Sequence, residues 1–171
     1  MSYDKATIRF HWITAALVAA LWLLGQTADW FPRGPSRGAA WSTHFTLGFL
    51  LIAVYAGRVV WRFTGGKKLP GLGTGAMRAL AAAGHGVLYL LIAAVLALGI
   101  ANLYAHGSHV WGLIAFPRME ESPLRHNIGE AHEWAANVLL LLALGHAAVA
   151  LVHQYVWRDG ALGRMIPRLA R

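Results

Sequence analysis

The stretch His132–His146, HEWAANVLLLLALGH, places two histidines fourteen residues apart in a run that is otherwise almost wholly apolar. At 3.6 residues per turn, that spacing returns the second side chain to within about 40° of the first, and it separates the two by roughly 21 Å of helix rise. One face of one helix therefore presents two imidazoles, one toward each edge of a hydrocarbon layer about 30 Å thick. An ionisable ring at such depth is costly without a partner. A metal is the partner that suits a neutral imidazole best. Two ligands at two depths point to two metal centres stacked across a membrane. Haem iron fits better than zinc, because each iron needs one axial ligand from this helix and a second from elsewhere.

The composition agrees with a bilayer as solvent. Of the 171 residues, 57% are hydrophobic and 13% charged, against about 25% charged in soluble proteins. The length suits one domain, residues 1–171. Cysteine is absent, which excludes disulfides, iron–sulfur clusters and covalent haem attachment. Any haem is then non-covalent, b-type in the simplest case. A formal charge of +8 raises nucleic acid as a partner. The basic residues flank apolar runs instead of forming a stripe, so no nucleic-acid partner is expected and membrane orientation explains them.

Four apolar runs predict helices over about 10–26, 41–62, 78–104 and 129–157, an all-α integral-membrane four-helix bundle. The first run carries His11 and two tryptophans and no A-x-A site follows it, so it reads as a retained helix and not a signal peptide. Ser42 or Thr43 is the expected cap of the second helix, with His44 in its first turn. The link 27–40 holds Pro32, Gly34, Pro35 and Gly38, which are turn formers. The longest loop, 105–128, holds His106, His109 and His126, whose spacing matches no standard zinc pattern. Eleven Lys and Arg lie with the two termini and the second link, against four (Arg33, Arg37, Arg118, Arg125) with the other links. That asymmetry puts both termini in the cytoplasm.

With the termini inside, the histidines pair by depth. His11 and His146 fall near the cytoplasmic edge, and His44 and His132 near the outer edge. Each pair is expected to clamp one b-type haem between helices. His85, in the third helix, lies near the inner pair and is the rival ligand; the expectation is a propionate hydrogen bond or a place in a substrate pocket. His153, seven residues past His146, is read as a propionate contact or a solvated residue. Gly48, Gly84, Gly86 and Gly145 lie beside the histidines, where small residues permit close approach.

The segments IRFHW (8–12), WSTHFTLG (41–48), GHGVLYLLI (84–92) and HEWAANVLLLLALGHAAVALVHQYVWRDGALGRMIP (132–167) resemble the bacterial cytochrome b561 family, small four-helix di-haem proteins of the inner membrane. The resemblance spans nearly the whole chain. It implies His11, His44, His132 and His146 as axial ligands of two haem b groups. It also implies superoxide:ubiquinone oxidoreduction, with external superoxide reducing membrane quinone. Related cytochrome b subunits exchange electrons between quinone and a periplasmic redox protein, which is the alternative; the short chain favours the stand-alone type. Arg9, Arg58, Arg62, Arg78 and His85 become candidate propionate partners. The remote alternative is a non-redox transporter or assembly factor, but the helix centres contain no Asp or Glu for proton coupling. On the outer side, the four arginines and Asp29, Glu120, Glu121, Glu130 and Glu133 sum to −1, so net charge there does not favour anion steering.

Overall fold

The computed structural model describes residues 1–169, so Arg171, counted above among the cytoplasmic charges, lies outside the described residues. Four helices account for most of it: α1 (Lys5–Thr27), α2 (Pro35–Thr64), α3 (Gly75–His106) and α4 (Pro123–Val152). All four are long and apolar enough to cross a membrane. A two-residue-per-strand hairpin, β1 (His109–Val110) with β2 (Ile114–Ala115), sits in the link between α3 and α4.

The helices start ahead of the apolar runs that announce them, because hydropathy marks what lies in lipid whereas capping sets where a helix starts. Asp4 caps α1, accepting from the Thr7 amide at 2.9 Å. The same carboxylate accepts from the Thr7 hydroxyl, the Trp61 indole at 3.1 Å and the Lys67 amide at 3.0 Å. Desolvation opposes its charge, yet these hydrogen bonds outweigh it and hold the Asp4 carboxyl well below the usual carboxylate range. Pro35 opens α2 and Pro123 opens α4, both at the first helical position, where a missing N–H costs nothing. Ser42 and Thr43 are therefore not caps. Thr43 Oγ1 donates to the Ala39 carbonyl at 2.8 Å inside the helix, and His44 sits in the third turn, not the first. His126 likewise belongs to the first turn of α4 and not to a loop, with its Nε2 3.1 Å from a Glu130 carboxylate oxygen. Gly107 ends α3 in the left-handed region at φ 65°, where a Cβ would strike the Arg118 backbone.

Successive helices run antiparallel. At one end the N-terminal segment, the α2–α3 link and the C-terminal segment are tied together: the Tyr3 amide donates to Arg164 O, Lys67 Nζ to Ser2 O, and Arg164 Nη1 to Pro70 O. At the other end the hairpin is fastened to α2, with the Trp111 amide donating to Ser42 Oγ and its indole to Thr46 Oγ1, each at 2.9 Å. Packing is dense within the hairpins α1/α2 and α3/α4 and sparse between them, where α1 touches α4 and α2 touches α3. The core is correspondingly thin, with Leu17, Leu51, Ile92 and Leu139 among its buried members and no large side chain fully buried among the described residues. Outer faces that meet lipid need not bury their leucines, since lipid tails are equally apolar. Midway along the bundle the Trp22 indole donates to Asn137 Oδ1 at 2.8 Å, joining α1 to α4. After α4 the chain widens into one π turn, His153–Trp157, and leaves it through Arg158 at φ 53°.

Candidate cofactor site formed by two histidine pairs

The dense hairpins leave their histidines facing each other across the sparse seam. His11 of α1 meets His146 of α4 with ring centroids 6.4 Å apart and planes at 65°. His44 of α2 meets His132 of α4, also at 6.4 Å, with planes at 83°. Both pairings are those expected from depth. All four rings are half-buried. An iron held by two imidazoles, with metal–nitrogen bonds of about 2.0–2.1 Å and ring nitrogens roughly 1.1 Å from their centroids, would separate those centroids by roughly 6.3 Å.

The hydrogen bonding around the rings suits ligation. His132 Nδ1–H is placed to donate to the Val95 carbonyl at 3.1 Å, which leaves Nε2 with a free lone pair. His44 Nδ1 is buried and finds no hydrogen-bond partner among the described residues. Close backbone frames the outer pair: a Cβ on Gly25 would lie 3.5 Å from His44 Cε1, and one on Gly99 would lie 3.0 Å from His132 Cε1. At Gly48, Gly84, Gly86 and Gly145 an added Cβ meets nothing within 4 Å, so the close approach expected at these four is not made within the chain, and Gly84, Gly86 and Gly145 are exposed. Among the described residues no three His, Cys, Asp or Glu are placed to hold one metal ion between them. A donor set of two imidazoles fits a metal that brings its own equatorial ligands.

His85 stands close to the inner pair, as expected, with its ring 5.2 Å from that of His146. That is about 1 Å too short for two rings on one iron. Its Nδ1 lies 2.7 Å from the Ala81 carbonyl one turn back on its own helix. Arg9 is exposed on α1 and makes no side-chain hydrogen bond or ion pair within the described residues. His153 sits in the π turn, bonded through Nδ1 to the Asp159 carboxylate, with the Trp157 ring edge-on at 4.4 Å.

Three features escaped sequence reading. One is the mid-bundle Trp22–Asn137 bond, and another is the Val95 carbonyl behind His132. The third is the hold of Tyr55 and Tyr89 on Arg58, which the sequence alone marks only as one of several candidate propionate partners. The signal for Arg58 was available: it follows His44 by fourteen residues, the spacing that relates His132 to His146.

A membrane four-helix bundle whose facing helices present paired internal imidazoles belongs to the cytochromes b by fold and donor set. The family profile of the prokaryotic cytochrome b561 matches residues 2–168, and the chain belongs to that family. Relatives span nearly its full length. It is 32% identical to cytochrome b561 homolog 1 of Escherichia coli K12, covering 97% of each chain. It is 30% identical to the probable superoxide oxidase CybB of Yersinia pestis, over 97% of this chain and 96% of that one. It is 32% identical to cytochrome b562 of Cereibacter sphaeroides, over 96% and 94%. The protein is thus a multi-pass bacterial inner-membrane cytochrome of b type, and its role is haem-based electron transfer across the membrane.

Proposed function

We propose that the chain is one di-haem domain that oxidises superoxide at the periplasmic side and reduces ubiquinone, with both termini in the cytoplasm. The observation that carries the two-haem part is the repetition of one geometry, an imidazole pair at 6.4 Å, at two levels of the bundle. His44 and His132 would hold the outer haem, and His11 and His146 the inner one. Bound haem supplies a one-electron iron couple at each level. Of the four rings, His132 is held in place by the hydrogen bond of its Nδ1 to the Val95 carbonyl. Two superoxide anions each lose one electron and leave as dioxygen; one ubiquinone gains both electrons and two protons and leaves as ubiquinol. The superoxide part rests on the likeness to the Yersinia pestis protein of that printed name, and the orientation rests on the basic end of the chain.

The test is the haem-to-protein ratio with redox difference spectra. Two b haems are expected in the wild type. His44→Ala or His132→Ala should remove the outer one alone, and His11→Ala or His146→Ala the inner one alone. A wild-type ratio near one would overturn the assignment. Superoxide and a neutral reductant, supplied separately, should both drive quinone reduction; activity with the reductant alone would favour a periplasmic protein donor.

A further inference from the structure

Arg58 is half-buried within the membrane-spanning part of α2. Its fourteen-residue distance from His44 carries it about 21 Å along the same face, to the level of the inner pair. Tyr89 fixes its direction. Arg58 Nε donates to Tyr89 Oη at 2.9 Å, and the guanidinium carbon stands 4.9 Å from the Tyr89 ring centroid. Tyr89 lies one turn beyond His85 on α3, and Tyr55 Oη donates to its backbone carbonyl at 2.9 Å. Two aromatic residues thus hold Arg58 beside the inner pair, and the Arg62 guanidinium carbon stands further out, 5.9 Å from the same Tyr89 ring centroid.

The cation lacks an anion. No ion pair among the described residues includes Arg58, and both Nη groups make no hydrogen bond there. Of the seven acidic residues, Glu130 and Glu133 lie on α4 on either side of His132 of the outer pair, and the other five lie outside the four long helices. A guanidinium at membrane depth pairs with something, and its planar fork matches a carboxylate. We propose that Arg58, aimed by Tyr89, binds a carboxylate of the inner haem and thereby raises the reduction potential of that haem relative to the outer one. This rests on the two-haem reading above.

The experiment is a potentiometric titration of the purified holoprotein, resolving the two haems, with haem content measured in parallel. Wild type must first contain two haems; a ratio near one overturns the two-haem reading itself, separately from the role of Arg58. Arg58→Gln should lower the inner potential alone, so that the outer-to-inner electron equilibrium constant falls about tenfold. Arg58→Lys, which keeps the charge, should restore most of it. Tyr89→Phe removes only the aiming hydrogen bond and should shift the inner haem in the same direction by less; it decides the matter if Arg58→Gln does not accumulate. Selective loss of the inner haem in Arg58→Gln, with retention in Arg58→Lys, is also a supporting result. A bridge that merely joined α2 to α3 would lower thermal stability and leave both potentials in place. That outcome in Arg58→Gln or Tyr89→Phe, or equal shifts of both haems, overturns the proposal.

Discussion

Gly99 offers the sharpest perturbation of the outer pair. A Cβ at that position would stand 3.0 Å from His132 Cε1, where carbon atoms prefer about 3.5–4.0 Å. The ring cannot simply step aside, because its Nδ1 is tied to Val95 O at 3.1 Å. Gly99→Ala therefore forces a choice between a stretched hydrogen bond and a displaced ligand. Overpacking of this size costs about 1–3 kcal/mol, which corresponds to an outer-haem affinity about five- to 150-fold weaker. The helix itself should not suffer, since Ala is about 1 kcal/mol better than Gly in a helix interior. The control is Gly25→Ala, whose Cβ would meet His44 Cε1 at an ordinary 3.5 Å. The assay is haem retention under graded detergent washing, with the difference spectrum identifying which haem is lost. Gly99→Ala should shed the outer haem first and Gly25→Ala should match the wild type. Equal behaviour of the two variants would refute the placement of His132 against α3.

Three further outcomes are expected. His85→Ala should retain both haems, because its ring is too near His146 for a shared iron; loss of the inner haem there, with His11→Ala retaining it, would reassign the ligand. Arg37 is engaged by Asp29 and the Phe31 carbonyl, and Arg118 and Arg125 both converge on Glu121, holding that carboxyl below its ordinary range. Arg33 makes no such bond among the described residues, so Arg33→Gln should slow haem reduction by superoxide about two- to threefold and flatten its salt dependence; a rate indifferent to both salt and substitution would favour a docked donor. Asp4 has a depressed folded-state pKa, so its stabilisation is present above the unfolded carboxylate value of about 3.9 and is lost as pH falls below it. Thermal unfolding followed from pH 5 to pH 3 should weaken more in wild type than in Asp4→Asn, and parallel curves would contradict this.

The four spans and the pairing of the histidines were legible because both depend on periodicity and depth, which a sequence records directly. His132 and His146 carry their geometry in their spacing. Helix starts were less legible: the polar first turn of α2, Pro35–Ala40, and that of α4, from Pro123, carry no apolar signal, so His44 and His132 lie deeper in their helices than hydropathy implied. Contacts between distant segments were not legible at all. That Trp61 and Lys67 meet at Asp4, or that Trp111 crosses to Ser42, depends on loops whose paths no local pattern encodes. Arg58 was legible as a candidate propionate partner, but its own partner Tyr89 could be recognised only once α2 and α3 were set side by side.

The uneven packing of the helices has a consequence for biogenesis. Each dense hairpin is a self-sufficient unit that a translocation machine can deliver to the bilayer by itself, first α1/α2 and then α3/α4. Within the membrane-spanning part, Trp22–Asn137, the Tyr55–Arg58–Tyr89 bridge and the histidine pairs then join the halves, and the Trp111 bonds to α2 and the ties of the terminal segments join them at the two ends. A chain built in this way makes its own lifetime depend on cofactor supply. In cells starved of haem the inserted halves should stay loosely joined and be cleared by membrane proteases. Pulse-chase labelling with and without a haem precursor would reveal a shortened half-life, and an unchanged half-life would mean that the protein contacts across the seam suffice.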